Sequence, residues 1–193
     1  MAVAPPTGLL GGAFDPPHIG HLVLARAAID GLDLERLTVL VVEDPGHKGV
    51  ATPAAIRLEL ATLAFAEIPR VDVELDRHAR TVDTLEERRP ENAYFVVGAD
   101  ELTDFWSWKR PERVLELVRL AVATRPGVSD ERLREVLARV PSPDRVAMFA
   151  MDPVPVSSSE IRDRVARGER IDGLVPPLVA EAVVRLGLYR GGE

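Results

Sequence analysis

Short β-branched runs that alternate with helical segments constrain the fold of this chain more than any other feature of the sequence. Strand-length apolar runs occur at six places, and segments with helical spacing or helix-end signals separate them. The six runs are residues 7–12, 37–42, 71–75, 94–97, 120–123 and 146–150. This alternation predicts an α/β fold with a doubly wound (Rossmann-like), mostly parallel sheet and helices on both faces.

Helix signals lie between and after these runs. The first predicted helix begins at Ile19 and ends at Gly31, and the second begins with Thr52 as N-cap and Pro53 as its first residue. Further helices are predicted at 84–88, 111–118 and 129–139, the last capped by Ser129. After a loop at 153–159, segments 159–167 and 177–186 form a C-terminal helical tail. We expect one domain over residues 1–193, with 156–193 as its C-terminal helical segment.

Composition excludes several functional classes. The absence of cysteine excludes disulfide scaffolds, Cys-ligated metal sites and thiol nucleophiles. The net charge of −7 argues against a nucleic-acid partner. The apolar runs are far shorter than the roughly 20 residues that span a bilayer, and no basic residue precedes an apolar stretch in residues 1–8. We therefore expect a cytoplasmic protein with no membrane partner.

Topology selects two loops as the binding region. Doubly wound sheets bind ligands beyond the carboxyl ends of their strands, commonly between the first and fourth strands. Segments 11–21 and 98–108 follow those strands and are rich in glycine, acids, histidine and aromatics. The sequence therefore predicts that both segments border one crevice.

The first of these segments has features of a phosphate site. Gly11 and Gly12 let the backbone approach a ligand, and the helix that follows offers amides and its positive dipole end to a phosphate. The spacing is not the G-x-G-x-x-G of a dinucleotide fold, which disfavours a dehydrogenase. A tight turn would also explain both glycines.

His18 and His21 lie on one face of the predicted helix, at its start. Two imidazoles at a helix N-terminus can donate to phosphoryl oxygens and stabilise charge on a pentacoordinate phosphorus. A zinc site is the competing interpretation, although only His47 or Asp15 could supply a third ligand.

Ordered motifs then extend along nearly the whole chain. GGAFDPPHIGH at 11–21 resembles the G-G-x-F-D-P-x-H-x-G-H signature of the nucleotidyltransferases. PGHK, TVDTL, GADELTDFWSW, RPG and VSSSEIR follow at 45–48, 81–85, 98–108, 125–127 and 156–162, and LVP and GLY occur within 174–189. This order is most similar to that of the bacterial nicotinate-nucleotide adenylyltransferase family.

The resemblance implies transfer of AMP from ATP to nicotinate mononucleotide, giving deamido-NAD and pyrophosphate in NAD biosynthesis. Mg²⁺ would arrive on the ATP phosphates, and the protein would have no metal site of its own. The resemblance is also compatible with a homo-oligomer. Two alternatives stay open: transfer to another phosphate acceptor, such as nicotinamide mononucleotide or phosphopantetheine, or a nucleotide-binding regulator without turnover.

The resemblance also implies roles for individual residues. The catalytic group would be His18, His21, Lys48 and Arg162. ATP would be bound by Gly11, Gly12, Phe14, His18, His21, Gly98, Asp100, Ser158, Ser159 and Arg162. The acceptor would be bound by Asp15, His47, Lys48, Thr81, Asp104 and Trp108, whose ring would stack on the pyridine.

Some of these residues have structural alternatives. Ser158 and Ser159 could be plain helix N-caps, and Trp108 could be a core residue, although Trp106 is the other candidate for burial. Lys109 is expected to be solvated.

The chain also departs from the family pattern. Ala79-Arg80-Thr81 stands where the family has S-Y-T, Gly46 replaces a proline, and Ala13 replaces a threonine. We expect Arg80 to point to solvent, because exposed arginines are the common case.

Overall fold

The computed structural model describes residues 4–46, 50, 52–124 and 131–191, and its centre is a six-stranded sheet. The strands are β1 (Thr7–Gly12), β2 (Arg36–Val42), β3 (Val71–Asp76), β4 (Ala93–Gly98), β5 (Arg119–Thr124) and β6 (Val146–Ala150). They pair in the order β3-β2-β1-β4-β5-β6, and every pair is parallel. The predicted doubly wound α/β sheet is confirmed.

Eight helices connect or follow these strands in the described part of the chain. They are α1 (Ile19–Gly31), α2 (Ala54–Phe65), α3 (Thr81–Arg88), α4 (Ala99–Thr103), α5 (Pro111–Leu117), α6 (Glu131–Ala138), α7 (Ser158–Ala166) and α8 (Pro177–Arg185). Short 3₁₀ turns lie at Phe105–Ser107 and Pro143–Arg145. Within the described ranges, none of the helices has the length and apolarity that a membrane crossing requires.

Each face of the sheet is covered by four helices. Neighbouring residues of one strand point to opposite faces, so Leu10 packs in one core cluster and Leu9 in the other. Helices α1, α2, α7 and α8 contribute to the first cluster, and α3, α4, α5 and α6 to the second. The predicted C-terminal tail is therefore part of the first layer, where Ile161 and Val179 are fully buried.

Several helices differ from the sequence prediction, most of them by one residue at an end. Segment 98–108 contains α4 and a 3₁₀ turn rather than only a loop, because Leu102 and Phe105 bury completely against the sheet. Helix α3 begins at Thr81 rather than at residue 84, which buries Val82 as well as Leu85. The N-cap of α2 is Pro53, one residue later than predicted. Ser129, the predicted cap of α6, lies outside the described residues.

Candidate active site

Strands β1 and β4 pair through their first residues, Thr7–Leu9 with Ala93–Phe95, and a cavity of about 800 Å³ lies near the carboxyl end of β1. Both loops selected by topology contribute to its wall, Gly11 and Gly12 from one and Asp104 and Trp108 from the other. The end of β3, the connection that follows it and the start of α3 form another part of the wall. The lining residues in this region are Asp76, His78, Ala79, Arg80, Thr81, Val82 and Thr84. The predicted crevice is therefore present at the predicted edge.

His18, just before α1, and His21, in the first turn of α1, stack on each other. Their ring centroids are 3.7 Å apart, and the backbone N–H of His18 donates to Nδ1 of His21 at 3.1 Å. An Nδ1 that accepts a hydrogen bond carries no proton, so neutral His21 carries its proton on Nε2. Phe14 meets the His21 ring edge-on at 5.0 Å. The loop thus sets both the tautomer and the orientation of His21.

His18 is the N-cap of α1 and is buried, with 9% of its surface exposed. Burial lowers its pKa from 6.5 to about 4, so the ring is neutral at pH 7. Its buried Nδ1 has no hydrogen-bond partner among the described residues. A Cβ on Gly20 would lie 3.1 Å from this ring, so glycine gives the imidazole its place against the helix.

The N-terminus of α1 is less open than the sequence suggested. The N–H of Ile19, expected to face a phosphate, donates to the carbonyl of Leu174 at 3.0 Å. The segment before α8 therefore already occupies one amide of the helix start. A phosphate at this end would depend more on side chains than on that amide.

A buried arginine that sequence reasoning missed fixes the backbone below the histidines. Arg57 on α2 is only 1% exposed, and its acceptors are backbone carbonyls at 2.8–3.0 Å. They belong to Ala13 after β1, to Val42 and Glu43 at the end of β2, and to Thr52 before α2. One side chain therefore ties three segments together at the carboxyl edge of the sheet.

Asp15 faces the C-terminal segment of the chain. The Tyr189 hydroxyl donates to Asp15 Oδ1 at 2.7 Å, and this carboxylate is 3% exposed. Burial, reinforced by Asp15, raises the pKa of Tyr189 well above 10, so the phenol remains a donor. Asp15 is not among the residues that line the cavity, so its predicted contact with the acceptor gains no support from this placement.

Helix α7 packs against the same loop. Ser157, not Ser158 or Ser159, is its N-cap and accepts from the N–H of Glu160 at 3.1 Å. Ser158 Oγ donates to the Pro16 carbonyl at 2.8 Å, and Arg162 Nη1 donates to the Asp15 carbonyl at 2.7 Å. Ser159 Oγ lies 3.2 Å from Ser157 Oγ. The structure therefore brings Ser158 and Arg162 into contact with the segment between β1 and α1.

The acceptor side of the site contains one of the two tryptophans. Trp108 lines the cavity and meets Phe95 and Phe105 edge-on, at 6.1 and 5.3 Å. Trp106 points elsewhere, since its indole N–H donates to the Val136 carbonyl at 3.0 Å. Of the pair, only Trp108 is available to a ligand in the cavity.

The remaining predicted residues have different placements. Gly98 ends β4 with an ordinary φ of −71°, and a Cβ there would meet nothing within 4 Å, so packing does not explain this glycine. Asp100 is exposed on α4. Thr81 and Asp104 line the cavity. His47, Lys48 and the RPG motif at 125–127 lie outside the described residues.

A buried carboxylate on the cavity wall was also missed. Asp76 at the end of β3 accepts from Thr84 Oγ1 at 2.7 Å and from the His78 N–H at 3.0 Å. Thr84 belongs to the TVDTL motif, so that motif holds this acid in place. Across the described residues, no three His, Asp or Glu side chains are grouped as metal ligands.

Comparison with known proteins finds similar sequences over most of the chain. The cytidylyltransferase-like family model matches residues 9–164. Proteins described as probable nicotinate-nucleotide adenylyltransferases are 38% identical in Rubrobacter xylanophilus, over 95% of this chain and 91% of that relative, and 39% identical in Thermus thermophilus, over 95% and 98%.

Solved structures show the same fold. Plasmodium falciparum nicotinic acid mononucleotide adenylyltransferase complexed with NaAD superimposes with a TM-score of 0.78 at 18% identity, over 96% of this chain and 97% of the other. The same enzyme complexed with APC gives a TM-score of 0.74 at 17% identity, with the same coverage.

Replacing Arg57 by lysine should destabilise the fold by about 2–4 kcal/mol, because one ammonium cannot satisfy carbonyls on three segments and some stay buried without a donor. Arg185→Lys is the matched control, since Arg185 is 60% exposed and pairs with Glu59 on the surface. Urea unfolding of both variants measures the difference. Equal, small losses in the two variants would show that the carbonyl contacts do not stabilise the fold.

The buried His18 predicts a pH dependence of stability. The unfolded chain takes up a proton near pH 6.5, whereas the folded chain resists it down to about pH 4, so stability falls as the pH drops below 6.5. Between pH 7.5 and pH 5 His18 should lower the free energy of unfolding by about 2 kcal/mol. His18→Asn keeps an N-cap residue but has no titrating ring. Its free energy of unfolding should therefore fall by about 2 kcal/mol less than that of the wild type over the same pH interval. Denaturant titrations of both proteins at the two pH values give the comparison. Equal losses of stability in wild type and His18→Asn would contradict the lowered pKa of His18.

Proposed function

The chain belongs to the nicotinate-nucleotide adenylyltransferase family of cytidylyltransferase-like proteins, and on that premise we propose that it transfers AMP from ATP to nicotinate mononucleotide. The products are deamido-NAD and pyrophosphate. The observation that carries this proposal is the position of the stacked His18–His21 pair, which lies at the start of α1, a few residues after Gly11 and Gly12 on the cavity wall.

The acceptor phosphate needs no base from the protein. A phosphate monoester has a second pKa near 6 and is mostly dianionic at pH 7. One of its oxygens attacks the α-phosphorus of ATP, and the bond from that phosphorus to the oxygen of the β-phosphate breaks as pyrophosphate leaves. The protein therefore contributes by positioning the two nucleotides and by stabilising negative charge.

His21 and Arg162 are suited to the phosphate side of this reaction. The Nε2–H of His21 can donate to a phosphoryl oxygen without a change of charge on the ring. Arg162 uses Nη1 for the Asp15 carbonyl, and a guanidinium has further N–H groups that can bind the triphosphate. Gly98, which packing does not require, would let a nucleotide lie against β4.

The cavity is suited to the acceptor. Its volume of about 800 Å³ falls in the range of small-molecule sites, and the Trp108 ring on its wall can stack on a pyridine. Nucleotidyltransferases generally use a divalent metal with ATP, and here we assign it as Mg²⁺ that arrives with the substrate phosphates. Mg²⁺ commonly binds in this way, through a few carboxylates and the substrate. We further propose a cytoplasmic enzyme with no nucleic-acid partner.

Pyrophosphate release tests this function. The protein is incubated with MgATP and, in turn, nicotinate mononucleotide, nicotinamide mononucleotide and phosphopantetheine. We expect the fastest release with nicotinate mononucleotide. ATP binding without release from any acceptor would instead identify a nucleotide-binding regulator and overturn the proposal.

His21→Ala should lower kcat by about 10²-fold, because it removes a donor to the transition state, with a smaller change in the KM for ATP. Arg26→Ala, an exposed change on the same helix, is the control and should keep wild-type turnover. Steady-state kinetics with both substrates varied gives the comparison. Near-normal kcat in His21→Ala would remove this residue from the catalytic group.

A further inference from the structure

Carboxylates line the acceptor cavity. Those of Asp76 and Asp104 are on its wall. Two of its basic groups already have acidic partners: Lys109 Nζ lies 2.8 Å from both carboxylate oxygens of Asp83, and His78 Nε2 lies 2.7 Å from Glu87 Oε2. A second anion placed in this cavity would therefore be repelled unless another cation met it.

Arg80 is a further cation on the same wall. It is exposed, lines the cavity, and is the N-cap residue of α3, so it stands at the positive end of that helix. Among the residues that the structure describes, no carboxylate forms an ion pair with Arg80. Its neighbour Thr81 lines the same cavity.

We propose that Arg80 is a specificity residue, which selects the acid form of the pyridine mononucleotide by binding the carboxylate on its ring. This inference rests on the proposed function and identifies how the cavity chooses its substrate. An acid and its amide have nearly the same shape, so the shape of the cavity cannot separate them, whereas charge can. A guanidinium binds a carboxylate through charge-assisted hydrogen bonds and offers the neutral amide much less.

The surrounding acids sharpen this selection. Without Arg80, the carboxylates of the wall would repel nicotinate and could accept hydrogen bonds from the amide group of nicotinamide. The sequence alone led us to expect Arg80 in bulk solvent, with an acid preference that survives its removal. Arg80 is indeed exposed, but it also lines the cavity, so the solvent next to it includes the space that the acceptor would fill.

The test is the ratio of kcat/KM for nicotinate mononucleotide to kcat/KM for nicotinamide mononucleotide, measured at saturating MgATP. Arg80→Ala should lower this ratio at least tenfold, mainly through the acid, while the KM for ATP stays within about twofold. Arg80→Lys keeps the charge but not the planar fork, so its ratio should lie between those of wild type and Arg80→Ala. Arg77→Ala, an exposed change three residues earlier and outside the cavity lining, should keep the wild-type ratio.

The possible results distinguish a failure of the role of Arg80 from a failure of the proposed function. An unchanged ratio in Arg80→Ala, with wild-type activity on the acid, overturns the role of Arg80 and leaves the proposed function intact. An equal loss with both acceptors also overturns it, since Arg80 would then bind the phosphate that they share. A wild-type enzyme that releases pyrophosphate with neither acceptor overturns the function and this inference together.

Discussion

The guanidinium of Arg57 is the interaction on which the geometry of the site depends. A buried charge is costly unless its donors are satisfied, and here backbone carbonyls from three separate segments accept four hydrogen bonds from it. Burial lowers the pKa of Arg57, and the charge of nearby Asp15 opposes that effect. The group therefore stays charged, and the loops that bind it are held in one arrangement.

That arrangement continues into the loop that bears the histidines. Arg57 holds the carbonyl of Ala13, Tyr189 holds the carboxylate of Asp15, and Ser158 holds the carbonyl of Pro16. Contacts from α2, α7 and the C-terminal segment thus fix consecutive parts of the segment between β1 and α1. A site built in this way is organised before the nucleotides bind, which is the condition for electrostatic stabilisation of a transition state at low reorganisation cost.

The sequence predicted the sheet and the site edge because both follow from local patterns. The six strand runs and the position of His18 and His21 after the first of them were sufficient for that prediction. Arg57 was missed because an arginine on a helix is usually exposed to solvent, and its acceptor on Ala13 is 44 residues away. The orientation of Asp15 depends on Tyr189, 174 residues later in the chain, and no local spacing reveals that contact. The one available signal was an arginine among the apolar residues of the α2 segment.

The most direct test of a preorganised site is an experimental structure of the protein with a non-hydrolysable ATP analogue and Mg²⁺. Phosphate oxygens should lie within hydrogen-bond distance of His21 Nε2 and Arg162. The backbone of residues 13–16 should superimpose on the free protein within about 1 Å, as expected for a site that is already formed. An analogue bound away from the start of α1, or a shift of this segment by more than about 2 Å, would contradict the account.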